Sequence, residues 1–322
     1  MAFDRSSKRA TLLGWLSRIA WVSLIAWFAR EAVAASLPPL ALDNPAPGIY
    51  VHYGRQESMS RENSGDIANL GFIVGNRCVA VVDTGGTYAV GRALRDAIRS
   101  VTALPVCYVI NTHVHPDHVF GNAAFVDDHP QFVGHARLAA SLARRGSNYL
   151  HALRRDLGDR AEGTAIVAPT QAIEAIETID LGGRPLRLRA WRTAHTDCDL
   201  TVYDETTRTF WVGDLAFVGH LPVVDGNLRG FLAVIQQLRA IPADYAIPGH
   251  GRATAWPDAL APEARYLAGL LRDVRTAIKS GRSLTETVDS VEPAPGTWLL
   301  GDEFHRRNVS AAYAELEWDP DP

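Results

Sequence analysis

Three histidines and an aspartate fall within six positions of one stretch, Asn111-Thr112-His113-Val114-His115-Pro116-Asp117-His118, directly after the apolar run Pro105-Val106-Cys107-Tyr108-Val109-Ile110. A run of β-branched and aromatic residues without a helical period reads as a buried strand. His113 and His115 sit where that strand breaks, so residues two apart can aim their imidazoles at one point. Neutral imidazole is a good zinc ligand, with a metal–nitrogen distance of about 2.0–2.1 Å. Pro116 removes a backbone donor and restrains the turn, which brings Asp117 and His118 to the same mouth. The bland alternative is a polar loop whose histidines merely cluster. Four ligand-type side chains at one abrupt strand end argue for a metal site instead.

The flanking pattern says where such a loop sits. Ile49 to Gly54, Ile67 to Val74 and Cys78 to Val82 read as strands, the last two joined by a hairpin turn at Gly75-Asn76. The third ends in Asp83-Thr84-Gly85-Gly86, and a helix follows from Tyr88 to Ser100 with Val90, Leu94 and Ile98 on one face. A strand over Leu104 to Asn111 then completes a strand–helix–strand unit, which predicts a parallel pair with a crossover helix. Ligand sites in such sheets lie beyond the carboxyl ends of the strands, where both Asp83 and the histidine cluster fall. Leu37 to Pro47, rich in proline, reads as extended chain.

Gln131 to His135 predicts a further strand, with helices over Ala136 to Arg145 and Tyr149 to Leu157. The stretch Gly146 to Thr170 is expected over the outside of the sheet, bordering the mouth. From Ala172 the pattern changes to short strands and turns, at Glu177 to Asp180, Leu186 to Thr193, Leu200 to Tyr203 and Thr209 to Val212. A helix over Gly230 to Leu238 and a last strand over Tyr245 to Ile247 precede a helical C-terminal third, read at Ala259 to Lys279, Ser283 to Val288 and Asn308 to Leu316. The expectation is an α/β fold with two facing mixed sheets.

The chain has 322 residues, 47% hydrophobic and 21% charged, enough for one sizeable core or two modest ones. A formal net charge of −4 gives no reason to expect a nucleic-acid partner. Residues 1–35 are different material. Arg5, Lys8 and Arg9 precede an apolar segment from Ile19 to Ala29, and Ala32-Val33-Ala34-Ala35 offers small residues for a signal peptidase. That segment is short for a membrane span. The expectation is a Sec-type signal peptide over 1–35, cleavage after Ala34 or Ala35, release to the periplasm, and one domain over 36–322 with a helical C-terminal extension. An uncleaved anchor is the alternative. Of the three cysteines, Cys78 and Cys107 lie inside strand-like runs and read as free, buried thiols acting as small hydrophobes, although an oxidising compartment permits a disulfide.

The histidine loop needs further ligands, and three later positions end predicted strands: His195 in Thr193-Ala194-His195-Thr196-Asp197, Asp214 in Gly213-Asp214-Leu215, and His250 in Pro248-Gly249-His250-Gly251. Singly, each has an ordinary reading as a loop imidazole or a helix cap. Together, the cluster His113, His115, Asp117 and His118 followed by His195, Asp214 and His250 resembles the metallo-β-lactamase superfamily pattern, over roughly Ile49 to Leu270. The resemblance implies an αβ/βα sandwich with the site at one edge. It implies one zinc held by His113, His115 and His195, and a second held by Asp117, His118 and His250. Asp214 would bridge them, and a metal-bridging hydroxide would hydrolyse the substrate. Two zincs about 3.5–4 Å apart can share and acidify a water and polarise a carbonyl or phosphoryl oxygen, so no Ser or Cys nucleophile is required. Asp117 and Asp214 are the expected catalytic carboxylates.

Three stretches are similar to quinoprotein relay system zinc metallohydrolases, the SoxH-related branch: Val114 to Asn122, Gly219-His220-Leu221-Pro222-Val223-Val224-Asp225-Gly226, and Asp302-Glu303-Phe304-His305-Arg306-Arg307-Asn308-Val309. That likeness implies a small-molecule substrate and a link to a pyrroloquinoline-quinone (PQQ)-dependent dehydrogenase. Asp at position 214, where true β-lactamases often carry Cys, looks more like the glyoxalase II and lactonase branches, and directs the reading to an ester, thioester or lactone-like bond. The glutathione-binding domain of glyoxalase II is not recognisable. His and carboxylate suit iron as well as zinc, so a mononuclear iron persulfide dioxygenase and a non-catalytic quinone or metal carrier are the competing readings. Beside the site, Asp83 is expected to orient the loop and His220 to contact substrate or pack. Cys198 and His135 are expected to have no chemical role, and Arg144-Arg145 to form a solvated helix face.

Overall fold

Alternation along the strands is what makes this chain a layered structure. The computed structural model describes residues 37–292 and 298–319; the signal segment read at 1–35 lies outside the described residues. In chain order the elements are β1 (Asp43–Ala46), β2 (Ile49–His52), β3 (Leu70–Val74), β4 (Val79–Val82), α1 (Tyr88–Val101), β5 (Val106–Ile110), α2 (Pro116–Val119), β6 (Gln131–His135), α3 (Leu138–Leu157), β7 (Gln171–Ile173) and β8 (Ile176–Asp180). They continue with β9 (Pro185–Ala190), β10 (Leu200–Asp204), β11 (Thr209–Phe217), α4 (Leu228–Leu238), β12 (Tyr245–His250), β13 (Thr254–Ala255), α5 (Leu260–Lys279), α6 (Leu284–Ser290) and α7 (Gly301–Leu316). A 3₁₀ stretch covers Phe120–Asp128.

β1 to β7 form a seven-stranded sheet in sequence order; the second sheet runs β13-β12-β11-β10-β9-β8. Pairing is antiparallel from β1 to β4 and parallel from β4 to β7, as the crossover helix α1 requires. In β4, Ala80 and Val82 point to the inter-sheet core with Ile110 and Val133, facing Leu186, Leu188, Val202 and Trp211 of the second sheet. Val79 and Val81 point the other way, onto Val90, Leu94 and Ile98 of α1. On the far side, Phe210 and Val212 of β11 pack against α4, α5 and α7 through Phe231, Leu267, Leu270 and Val309. Each Ile, Leu or Phe buried in these layers contributes about 1.5–3 kcal/mol. The result is a sandwich of two mixed sheets with helices outside, the architecture expected from the sequence.

Four local expectations are corrected. The proline-rich segment before Ile49 contributes strand β1, hydrogen-bonded to β2. The two helices expected over 136–157 are one 20-residue helix, α3. The cost of Gly146 inside it, about 1 kcal/mol, does not break the helix, and a Cβ there would stand 2.8 Å from Ile166 Cδ1. β11 does not stop at Val212 but runs to Phe217, because its parallel pairing with β12 continues past a register shift at Gly213, which stands at φ +54°. Finally, Cys78 and Cys107 are not free thiols: they form a disulfide, with Cα atoms 5.8 Å apart. Parallel pairing of β4 with β5 sets the two residues side by side, a relation no local pattern encodes. Cys198 is free and buried. Among the described residues no helix is long and apolar enough to cross a membrane.

Candidate metal centre

Two parallel strands end side by side, and the polar residues follow at once. After β4, Asp83 turns the chain at φ +56°, a conformation that Asp and Asn adopt more readily than most residues. After β5, Asn111 and Thr112 lead to His113. The Asp83 carboxylate ties the two strand ends together, accepting Thr112 N–H (2.8 Å) and Thr112 Oγ1–H (2.7 Å). Pro116 does more than restrain a turn. It opens α2 from the position where a missing N–H costs nothing, and the single turn of helix raises Asp117 and His118 toward the centre.

His195 comes from the loop after β9, Asp214 from the middle of β11 and His250 from the last residue of β12. The fold thus brings all seven sequence-derived candidates together, as two groups: His113, His115, His195 and Asp214, and Asp117, His118 and His250, the inward ligand atoms within each lying within 4.8 Å of one another. His115 Nδ1 stands 3.1 Å from His113 Nε2 and 3.0 Å from His195 Nε2. In the second group, Asp117 Oδ2 is 3.4 Å from His118 Nε2 and 3.3 Å from His250 Nε2. Asp214 lies between the groups, with Oδ1 3.3 Å from His118 Nε2 and Oδ2 3.3 Å from His195 Nε2 and 3.5 Å from His250 Nε2. Ligands at 2.0–2.1 Å around a tetrahedral cation lie about 3.3 Å apart, the spacing found here.

The outward nitrogens decide what the inward ones can do. His195 Nδ1 faces the Val223 carbonyl (2.7 Å), His250 Nδ1 the Ile67 carbonyl (2.9 Å), His118 Nδ1 the Asp83 carboxylate (2.8 Å) and His115 Nε2 the Asp225 carboxylate (3.1 Å). His113 Nδ1 faces Thr112 Oγ1 (3.0 Å), whose own proton goes to Asp83. Carbonyls and carboxylates only accept, so each outward nitrogen carries the proton and a neutral ring turns a lone pair inward. Five lone pairs and two carboxylates then converge. His118 Nε2 and Asp214 Oδ1 are buried without a hydrogen-bond partner, a costly arrangement unless a cation occupies the gap. Burial pushes the His195 imidazole down to about 4, and His113 well below its ordinary value. Against the same burial, the charge of Asp214 and Asp117 pushes His250 up to about 9 and His118 well up. The carboxylates demand positive charge at this point, and the donor set fits divalent cations.

A cavity of about 300 Å³ opens over the cluster. His220 lines it without joining either ligand group; its Nδ1 donates to the Leu221 carbonyl (2.6 Å) and its ring stacks on His250 at 5.0 Å. Tyr149, Phe304 and Arg307 also line the cavity, and none of them received a role from the sequence. Nor did Asp225, which takes His115 and Arg145 together. Although burial opposes it, the hydrogen bond from His115 and the charge of the Arg145 guanidinium hold the Asp225 carboxyl below the usual carboxylate range. A signal was present, since Asp225, Phe304 and Arg307 lie inside the stretches that carried the finer resemblance. Arg145 is therefore no solvated cation. Cys198 is fully buried, and burial pushes its thiol up. His135 has both ring nitrogens engaged, by the Trp191 carbonyl and the Arg137 N–H.

A family model described as the metallo-beta-lactamase superfamily matches residues 64–250. No curated protein sequence shows significant similarity. Among solved structures, the stereoselective inverting sec-alkylsulfatase Pisa1 from Pseudomonas sp. superposes with a TM-score of 0.68 at 18% identity, over 86% of this chain and 50% of that one. This chain thus spans about half the length of the alkylsulfatase. A metallo-beta-lactamase from Pontibacter korlensis superposes with a TM-score of 0.58 at 18% identity, over 71% of this chain and 99% of that one.

Proposed function

This chain belongs to the metallo-beta-lactamase superfamily, and from that premise we propose that it is a dizinc hydrolase acting on an ester, thioester or lactone-like bond. One observation carries the reading: five imidazoles are each proton-locked from outside, so that their inward lone pairs converge around Asp214 in two groups. His113, His115 and His195 would hold one cation and Asp117, His118 and His250 the other, with Asp214 placed between the two groups. Two bound zincs supply Lewis acidity that acidifies a water and polarises the oxygen of the scissile bond.

The chain's own residues do the rest. Asp117 and Asp214 set the charge of the centre and accept from any water held between them. The cavity, lined by Met59, Phe217, Val223 and Phe304 as well as the cluster, admits a small molecule and desolvates its apolar part. Cys198 is too deeply buried to act as a nucleophile, and the Ser58 hydroxyl is bound to Glu303. The signal segment read at 1–35 and the Cys78–Cys107 disulfide together support export to the periplasm. The PQQ-dehydrogenase link and the SoxH-related assignment rest on the sequence likeness of the Gly219–Gly226 and Asp302–Val309 stretches.

The test is metal content of protein purified from the periplasm, with Asp214→Ala as control, followed by an ester, thioester, lactone and sulfate-ester panel. Two zincs per chain, falling in the variant, with turnover of one class is the expected result. One iron per chain with oxygen uptake on a persulfide would replace this reading with a dioxygenase, and full metallation without turnover of any class would overturn it.

A further inference from the structure

The helix α7 lies outside the residues matched by the superfamily model, yet it reaches the metal centre through one loop. That loop, 219–226, supplies the outward partners of two imidazoles: the Val223 carbonyl accepts from His195 Nδ1 at 2.7 Å, and the Asp225 carboxylate faces His115 Nε2 at 3.1 Å. It is also tied back to His195 itself, Asp225 N–H donating to the His195 carbonyl at 3.0 Å. His195 and His115 belong to the same ligand group. No atom of this loop hydrogen-bonds the outward nitrogen of His118 or His250, whose partners are Asp83 and Ile67.

The loop has little structure of its own, being neither helix nor strand over 219–226. Its shape comes from what grips it. Asn308 of α7, fully buried, accepts Val224 N–H (2.9 Å) and donates to the Pro222 carbonyl (2.6 Å) and to Tyr266 Oη of α5 (3.0 Å). One carboxamide thus bonds backbone groups on both sides of Val223, the residue that holds His195. The segment leading into α7 adds a ladder, Leu299 N–H to the Gly219 carbonyl (2.9 Å) and Leu221 N–H to the Leu299 carbonyl (3.0 Å). Asp225 is gripped from two helices, by Arg145 of α3 and, at 3.7 Å, by Arg307 of α7.

We propose that Asn308 is a positioning residue for the metal centre: by clamping Pro222 and Val224 it fixes the Val223 carbonyl and Asp225 carboxylate, and through them the tautomer and aim of His195 and His115. The inference rests on the dizinc reading above and deepens it, because the hydrogen bonds that run from the C-terminal helix through the loop end on the imidazoles of one ligand group and not of the other. Removing an outer partner of a ligating histidine typically lowers metal affinity about 10–100-fold; the loss here falls on one group of ligands.

The experiment uses the full chain with one group disabled at a time. In a His250→Ala background, which leaves the His113, His115 and His195 group intact, Asn308→Ala is expected to weaken zinc binding about 10–100-fold in a chelator competition and to shift the Co2+ absorption bands. In a His195→Ala background, which leaves the Asp117, His118 and His250 group, the same substitution is expected to leave affinity within about threefold, well below the tenfold that marks loss of an outer partner. Asn308→Ser keeps one neutral hydroxyl able to donate or accept, so it gives an intermediate loss in the first background and serves if the alanine variant does not fold. Equal losses in both backgrounds, or none in either, would overturn the proposal while leaving the dizinc reading intact. Absence of metal binding by the unsubstituted protein would overturn both.

Discussion

Replacing Asp83 by Asn isolates the orienting role of a carboxylate that touches no inward ligand atom. Its two oxygens accept three hydrogen bonds, Thr112 N–H at 2.8 Å on Oδ1, and Thr112 Oγ1–H at 2.7 Å and His118 Nδ1 at 2.8 Å on Oδ2. A carboxamide has one acceptor oxygen and one donor nitrogen. With its oxygen toward His118, the amide nitrogen meets the Thr112 N–H donor to donor. With the amide flipped, it meets His118 Nδ1–H and favours the other tautomer, whose proton points at the cluster. Either way at least one hydrogen bond to a charged group is lost, about 1.5–3 kcal/mol. That agrees with the roughly 10–100-fold loss of metal affinity, about 1.4–2.8 kcal/mol, expected when an outer partner is removed. The backbone does not confound the comparison, because Asn tolerates φ +56° as Asp does, whereas Ala there adds strain of about 1–2 kcal/mol.

The assay is zinc competition against a chromophoric chelator near neutral pH, with urea unfolding of the metal-free variant as control. The expected result is a 10–100-fold weaker site, felt first by the group containing His118. Native affinity within about twofold, far short of the tenfold expected for an outer partner, would refute the argument that Asp83 sets the His118 tautomer.

Gly249→Ala should remove bound metal with little dependence on pH, since a Cβ there would fall 1.8 Å from Asp214 Oδ1 and displace that carboxylate; metal content of the folded variant is the readout. The double variant Cys78→Ser, Cys107→Ser should be less stable by about 3–4 kcal/mol on the loop-entropy relation for a separation of 29 residues, and unchanged urea midpoints would count against a formed disulfide. In metal-free protein, burial lowers His250, but the charge of Asp214 and the hydrogen bonds that the Asp117 and Asp214 carboxylates accept from it raise it to about 9. Its stabilising contribution is therefore full below about pH 6.5, the ordinary histidine value, and lost as pH rises through 9. Urea midpoints in EDTA should fall between pH 6.5 and 9.5, and a flat or rising profile would contradict the raised value.

Periodicity in the chain was enough for the architecture. Val79 to Val82, continuous, apolar and rich in valine, is a strand buried on both faces; Val90, Leu94 and Ile98 at helical spacing are the face of α1 that covers it. The polar residues that interrupt these patterns at strand ends were legible as candidate ligands for the same reason, because a buried strand followed at once by His, Asp and Gly leaves those side chains at the sheet edge. Breaks were less reliable. The break expected between Arg145 and Tyr149 falls inside one continuous helix, and the strand expected to end at Val212 carries on in its pairing with β12 through a register shift.

What sequence could determine was which residues arrive at the sheet edge; what only the tertiary structure decided was which way their nitrogens point. Tautomer and aim are set by partners far along the chain, His115 by Asp225 at a separation of 110 residues and His250 by Ile67 at 183, and no local period reaches across such distances. The same holds for the Cys78–Cys107 bond and for the grip of Asn308 on Pro222 and Val224. Hydrophobic order is written as a repeat of two or 3.6 residues, whereas hydrogen-bond direction exists only once separate elements have packed.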